Sequence, residues 1–375
     1  MIAATRSVVS VAKSVLYVAF ELGKAQWKLA MTSGFTITPV VETMCAGDWA
    51  AVDRALADGR QRFKLEGTAP VWSCYEAGRD GFWIHRGLVG RGIHNRVVDS
   101  SSIEVNRRAR RTKTDRIDAL KLVMMLVRVA AGEQRVWSEV RVPSVAAEAA
   151  RHVSRERQAL TTERTRLVNQ MRSWLVTAGA PWPRRAARGW WAHVRDWAAQ
   201  PLATPVQARL ARAHARLQLV TEQLAALDAQ QHASVAAAGP DSVAHRLLQL
   251  KGIAVTSASV LLDEGLVWRQ FRNRRQIGGL LGFAPSKYES GDRSRDQGIS
   301  RAGNQRLQAV MIQLAWGWVR WQPQSALTRW YRARFGQGKR ARRVGIVALA
   351  RKLLVALWRC ATHATVPAGA MLKMA

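Results

Sequence analysis

Residues 15–32 read VLYVAFELGKAQWKLAMT. Two short strands, Val15–Phe20 and Gln26–Thr32, are predicted here, joined by a tight link, with Glu21 directly after the first. Ile37–Thr43 reads as a third strand. Asp48–Gly67 places Trp49, Val52, Leu56 and Phe63 at roughly helical spacing and predicts a helix. Val71–Tyr75 is a short apolar strand that ends just before Glu76. Gly81–Gly90 predicts a helix and Ile93–Val98 a further strand. Upstream of this stretch, Lys13 interrupts the apolar run and no small-residue cleavage site follows, so the beginning is not read as a signal peptide.

Three strands followed by helix, strand, helix, strand and helix is the order of an α/β RNase H-like (RuvC-like) fold, which mixes antiparallel and parallel pairing. That domain is expected over 1–140. Residues 141–238 change character. Val145–Thr177 and Pro205–Ala238 are rich in Ala, Leu, Arg, Gln and Glu, with apolar residues at three- and four-residue steps. They predict a helical coiled-coil hairpin whose tip is a Trp- and Pro-rich insertion containing Trp182, Trp190, Trp191 and Trp197. Residues 239–375 are expected to form a mainly α-helical carboxy-terminal domain of short helices broken by glycines.

The formal charge of +32 over 375 residues, with 48% hydrophobic content, describes a folded protein with strongly cationic surfaces rather than a basic disordered tail. A polyanionic partner, DNA or RNA, is the expectation. Sixteen tryptophans argue against a ribosomal or histone-like chain. From Gln297 to Ala375 there are fourteen Arg or Lys and no Asp or Glu. A solvated helix normally mixes both signs, so a face without acids points to phosphate contact; Arg340, Arg342 and Arg343 are the candidates there. The three cysteines, Cys45, Cys74 and Cys360, show neither metal-ligand spacing nor a disulfide framework, which fits a reducing cytoplasm. No apolar run is long enough to cross a membrane.

Four acids stand out. Glu21 and Glu76 follow the first and fourth strands, and Asp115 and Asp118 lie in RRTKTDRIDALKLVMML, where a spacing of three puts both on one helix face. In an RNase H-like fold these positions converge. Gathered carboxylates repel each other unless a cation sits among them, and Mg²⁺ is the expected ion because it prefers hard oxygens and tolerates phosphate and water. Such a site can place metal on the attacking and leaving oxygens of a phosphodiester. Each acid taken singly is equally well read as an ordinary surface or capping residue. Arg110, Arg111, Lys113 and Arg116 could hold a phosphate backbone against the site or simply neutralise it.

A second constellation is GLLGFAPSKYESGDRSRDQGISRAGNQRL, residues 279–307. Ser290 sits in a polar turn flanked by Arg293 and Arg295. A serine hydroxyl can attack phosphorus where cations stabilise the phosphoryl oxygens; spacing alone equally describes a turn serine, and does not separate it from Ser286, Ser294 or Ser300. Upstream, Lys251 and Gly252 precede a helix starting near Thr256, as in a helix–hairpin–helix element that lets the backbone approach DNA; packing of two helices across a turn explains the same residues.

Taken in order, Lys113-Thr-Asp115-Arg-Ile-Asp118-Ala119, Gly252-Ile253, Gly282-Phe-Ala-Pro285 through Ser290-Gly291, and Ile299-Ser-Arg301-Ala-Gly303-Asn304 resemble the transposases of the insertion sequence one-ten group over nearly the whole chain. The resemblance implies an amino-terminal DEDD domain, in which Glu76, Asp115 and Asp118 match the second, third and fourth acids, and a carboxy-terminal domain in which Ser290 matches a nucleophile that becomes joined to a DNA phosphate. It implies a site-specific recombinase acting on donor and target double-stranded DNA, a structured non-coding bridge RNA as partner, and assembly as a homodimer or homotetramer. Arg301 and Asn304 enter as nucleic-acid contacts. The family pattern has Asp after the first strand; Glu21 keeps the charge and lengthens the arm by one methylene. Two other functions fit the residues: a RuvC-like Mg²⁺-dependent junction endonuclease in which water attacks, and an inactive nucleic-acid-binding relative.

Overall fold

A computed structural model describes residues 15–103, 114–184, 187–283, 285–290, 293–299 and 303–373, with backbone alone at 101, 285–290 and 293–298. Arg110, Arg111, Lys113, Ser300 and Arg301 lie outside the described residues. The chain divides into two compact units, Met1–Val142 and Pro143–Ala375.

The first unit is built on a sheet of order β3-β2-β1-β4-β5, with β1 Leu16–Leu22, β2 Gln26–Thr32, β3 Val40–Cys45, β4 Val71–Glu76 and β5 His94–Val98. β1 pairs antiparallel with β2 and parallel with β4, so it is central and its residues Leu16–Phe20 are buried on both faces. Side chains alternate across a strand. Leu16, Val18 and Phe20 pack with Trp27, Leu29 and Tyr75 against Val52, Leu56, Ile84 and Leu88 of helices α1, Trp49–Arg62, and α2, Trp83–Val89. Tyr17, Ala19, Ala30, Cys74 and Val98 face the other way, onto Ala119, Leu122, Val123 and Leu126 of α3, Asp115–Ala130. Small side chains at 19, 30 and 74 leave room for α3 to seat on the sheet.

The third strand begins later than its sequence suggests, at Val40 rather than Ile37. Residues 33–39 are drawn into a turn instead. The Thr32 hydroxyl donates to the carbonyls of Gly34 and Ile37, each at 3.0 Å, and the Ile37 amide donates to Gly34, which withdraws Ile37 from the ladder. Helix α1 is likewise shorter than predicted. Asp48 caps its start by accepting the Ala51 amide at 2.9 Å, and the chain leaves the helix at Phe63 before Lys64 adopts φ 55°.

In the second unit α4, Val145–Thr177, and α5, Thr204–Ala237, run side by side in opposite directions. Leu167 packs with Val220 and Leu224, while Met171 and Leu175 pack with Leu210 and Ala213. The expected tryptophan insertion closes their far end: Trp190 stacks edge-on with Trp191 and His214, and Trp182 lies 5.6 Å from Trp190. The remainder is mainly helical, with α6 Val243–Leu248, α7 Val255–Leu261, α8 Arg274–Leu280, α9 Gln305–Trp321, α10 Ala326–Phe335 and α11 Lys339–His363 around one apolar core. The polar turn read around Ser290 is preceded and followed by two paired antiparallel strands that the sequence reading did not include, β6 Pro285–Ser290 and β7 Arg293–Ile299.

A single carboxylate joins three parts of this unit. Glu264, with no solvent exposure, lies in a π-helical turn, Leu262–Leu266, that follows α7. Arg155 of α4 donates to it through Nε at 3.1 Å and Nη2 at 3.3 Å, and Arg306 of α9 through Nη1 at 3.2 Å. Asn304, which caps α9, donates at 2.7 Å, and Arg151 stands 3.8 Å away. Arg306 also donates to the Ser154 hydroxyl at 2.7 Å. Removing one partner from a buried ionic cluster is costly because the others remain uncompensated. Glu264→Gln keeps the shape and deletes the charge, and is expected to destabilise the protein by about 3–5 kcal/mol in urea unfolding. A change under about 1 kcal/mol would mean that the arginines are neutralised by solvent instead.

Candidate functional site

Glu21 and Glu76 stand at the carboxyl ends of neighbouring parallel strands. In the β1–β4 register Ala19 faces Cys74 and Phe20 faces Tyr75, which sets Glu21 beside Glu76 one residue on. By alternation both belong to the face that carries Ala19 and Cys74, the face covered by α3. Both border a cavity of about 350 Å³ whose wall continues through Ala77–Gly81 and Ser100. Asp80, on that wall, receives Arg79 at 3.0 Å.

Asp115 and Asp118 occupy the first turn of α3, which Thr114 caps by accepting the Ile117 amide. Acids are favoured at a helix start by the local dipole, so part of their placement is structural. Asp115 is reached by Lys28 Nζ at 3.1 Å, and Lys28 is the register partner of Glu21 across β1 and β2. Asp118 lies 4.0 Å from Lys121. Thus one end of one sheet face holds Glu21 and Glu76 at a common cavity and brings Asp115 to the residue opposite Glu21. It does not bring the four into one ligand set: among the described residues no three His, Cys, Asp or Glu side chains are arranged to hold a metal. The donors are all hard oxygens, suited in kind to a divalent ion such as Mg²⁺. Lys28 pairs with Asp115, whose side chain is 67% exposed, so this ion pair is worth about 0–1 kcal/mol. Arg116 is exposed in the same helical turn.

Lys28 and Asp80 were not singled out from sequence. Lys28 is legible in retrospect as a cation inside an otherwise apolar strand, two residues before Ala30 and therefore on the Glu21 face.

In the second unit Ser290 is the last residue of β6, in register with Arg293 at the start of β7, so it stands at the hairpin's turn; Arg295 pairs with Tyr288 further along. Ser286 and Ser294 fall within the two strands. Gly252 takes φ +93° in the loop between α6 and α7. The connecting loop is pinned from behind: the Lys251 amide donates to Met371 and its carbonyl accepts Gln322. Thr256 is half-buried in the first turn of α7. Arg340, Arg342 and Arg343 are exposed on α11. Asn304 departs from its expected role as a nucleic-acid contact. Its Oδ1 accepts the Leu307 amide at 3.0 Å and its Nδ2 donates to Glu264, so the side chain is used inside the fold. Arg306, one of the cations in the acid-free tail, is used there too.

Beside Glu264, burial pushes the Asp263 carboxyl up to about 6, against the lowering effects of the Ser154 hydroxyl and Arg306. Burial raises Glu264 as well, but the hydrogen bonds from Arg155 and Asn304, with the charges of Arg155 and Arg151, outweigh it and hold that carboxyl below its ordinary value. Adjacent acids are thereby driven in opposite directions.

Two family models match the chain. One, described as transposase of the IS116/IS110/IS902 family, covers residues 244–330, and a DEDD transposase model of the IS110 type covers residues 64–179. Glu76, Asp115 and Asp118 fall within the second segment and Ser290 within the first. The chain is 39% identical over 376 residues to "Putative transposase y4rJ" of Sinorhizobium fredii strain NGR234, an alignment spanning 96% of this chain and 94% of that protein. It is 29% identical to a second protein of that strain, "Putative transposase y4qE", over 78% of this chain and 76% of the other. With "Transposase for insertion sequence element IS1328" of Yersinia enterocolitica it shares 28% identity over 56% of this chain and 62% of that one.

The Asp263 shift has a measurable consequence. A carboxyl whose pKa rises on folding favours the folded state while protonated, and that contribution is lost as pH climbs through the folded value. The window here runs from about pH 4 to about pH 6. Asp263→Asn is expected to melt progressively higher than the parent as pH is raised from 4 to 7 in thermal unfolding. A difference that stays constant with pH would assign the burial of Asp263 no ionisation cost.

Proposed function

The chain belongs to the IS110 transposase family, and on that basis we propose that it cuts and rejoins insertion-sequence DNA by using Ser290 as nucleophile and an acidic set of Glu21, Glu76, Asp115 and Asp118 for a divalent ion. The observation that supports this most is the meeting of Glu21 and Glu76 at one cavity on the face of the sheet that α3, with its two aspartates, covers. When bound, Mg²⁺ supplies neutralisation of the phosphoryl oxygens and of the carboxylates' mutual repulsion.

The chain's own residues do the rest. Lys28 gives up Asp115 when a stronger cation competes for it, since an exposed ion pair is cheaply broken. The Ser290 hydroxyl loses its proton and its oxygen bonds to phosphorus; the bond from phosphorus to a deoxyribose oxygen breaks, and that oxygen takes up a proton. Attack by the hydroxyl of a new strand reverses the step, frees the serine and conserves the phosphodiester energy. Arg293 and Arg295, on the strand after the hairpin turn, supply positive charge to the phosphate, and Arg110, Arg111, Lys113, Arg116 and Arg301 are assigned the same task from their places in the sequence. Lys251, Gly252 and Thr256 of the short-helix hairpin, with Arg340, Arg342 and Arg343, hold double-stranded donor and target DNA through the backbone. The charge of +32 also suits a structured non-coding RNA, and joining two duplexes calls for a homodimer or homotetramer.

Incubating the protein and Mg²⁺ with a plasmid that carries the element and its flanks tests the chemistry. The parent is expected to form a covalent protein–DNA adduct, visible as a band resistant to denaturation. Ser290→Ala should abolish adduct and rejoining together. Asp118→Asn should reduce both by a hundredfold or more while leaving DNA binding intact. Cleavage that persists in Ser290→Ala without an adduct would favour a water-attacking junction nuclease. Activity unchanged in Asp118→Asn would remove the acidic set from the mechanism.

A further inference from the structure

Helix α11 presents two opposite faces. Ile346, Leu349, Leu353 and Leu357 are buried in the core of the second unit. Residues 340, 343, 344, 347, 348, 351, 352, 355, 356 and 359 line a groove of about 1090 Å³ on its other side. At ~1.5 Å per residue this stripe runs for about 28 Å.

The groove has cationic margins and an apolar floor. Arg340, Arg343, Arg351, Lys352 and Arg359 come from α11, and Arg274 and Arg275 from α8 across from it; among the described residues no carboxylate lines it. Among the described residues none of these seven cations makes an ion pair. The floor is formed by Val344, Val347 and Val355, with Trp330 and Leu327 of α10. Lys352 Nζ lies over the Trp330 ring at 4.6 Å from its centre. Arg351 runs past Gly278 of α8, where a Cβ would meet its Nε at 2.9 Å, so the missing side chain gives the guanidinium its course.

Seven cations without an ion pair among the described residues favour a polyanion. An acidic peptide would satisfy them but leaves the apolar floor without a systematic partner. Duplex DNA satisfies them too, but it turns phosphates and sugars outward and keeps its base faces stacked away from the protein. An unpaired strand offers both components: phosphates for the margins and exposed base faces for a Trp- and valine-lined floor.

The groove's neighbours indicate which strand. Phe283 and Ile299 line it as well. They flank the hairpin that carries Ser290, one before β6 and the other at the end of β7. We infer that this groove holds a segment of single-stranded DNA next to the strand under attack, so that the protein stabilises locally opened DNA beside the serine hairpin. The choice of DNA, and of that strand, rests on the function proposed above; the preference for an unpaired strand rests on the groove alone.

Fluorescence anisotropy with the full chain tests this, using one labelled sequence as single-stranded DNA, as duplex DNA and as RNA, at two salt concentrations. Two variants probe the groove: Val347→Glu, which puts a carboxylate into the floor, and the double substitution Arg351→Ala with Arg359→Ala. Both are first checked for a parental melting temperature. Each is expected to weaken single-stranded DNA binding at least tenfold and duplex binding by less than about threefold. A bromodeoxyuridine strand should photocross-link to Trp330. Equal losses for duplex and single strand would reduce the groove to a general phosphate surface and overturn the inference. A loss confined to RNA would overturn the assignment to DNA, and unchanged binding would overturn the site. If Val347→Glu alone unfolds the chain, the double arginine variant and the cross-link decide. Ser290→Ala should bind all three probes as the parent does, so failure of the serine chemistry is distinguishable from failure of the groove.

Discussion

Burying a charge without compensation is among the most expensive things a fold can do, and the second unit is organised around one such charge. Glu264 cannot exist in its place unless Arg155, Arg306 and Asn304 reach it, and those residues come from α4 and from the start of α9. The carboxylate therefore fixes how the root of the long helical pair meets the helix that follows the β6–β7 hairpin. The π-helical turn that carries it is wider than an α-turn, a local irregularity of the kind associated with functional positions. Arg151 and Arg306 are largely covered as well, so the cluster carries more positive than negative charge away from solvent, and Asp263 beside it is held near its point of titration.

This divides the cations of the acid-free tail into two populations. Arg306 is consumed internally, holding structure. The arginines and the lysine along the outer face of α11 pair with no carboxylate among the described residues and border open space. A net charge treats the two alike. The distinction matters for function because only the second kind can release counterions when a polyanion binds, and only it contributes to salt-dependent affinity.

The sheet was largely legible in the sequence. Apolar runs of strand length, each closed by an acid, located β1 and β4, and the spacing of Asp115 and Asp118 set both on the first turn of α3. β3 starts later than its apolar pattern implies because the Thr32 side chain holds Ile37 in a turn, a local hydrogen bond that hydrophobic pattern does not register. The strands on either side of the Ser290 turn are not announced by the sequence, because segments rich in Lys, Glu, Ser, Asp and Arg have little apolar alternation. Lys28 escaped notice because its significance depends on Asp115, 87 residues away. Glu264 depends on partners 109 and 42 residues away. Asn304 looked like a surface ligand within a polar motif, and only the cap and the buried carboxylate reveal where its amide is used. What sequence missed in each case is pairing at a distance.

The antiparallel pair of α4 and α5 adds a mechanical property. An α-helix of 33 residues is about 50 Å long. Its base is held at Arg151 and Arg155 by the Glu264 cluster, and its far end carries the tryptophan cap. A lever converts angle into distance: the arm from that root to the cap is about 33–39 Å, so a tilt of about 10° displaces the cap by roughly 6 Å, as follows from the helical rise. Small adjustments in the packing of a few guanidinium groups would thus be magnified into several ångströms of travel at the other end of the arm.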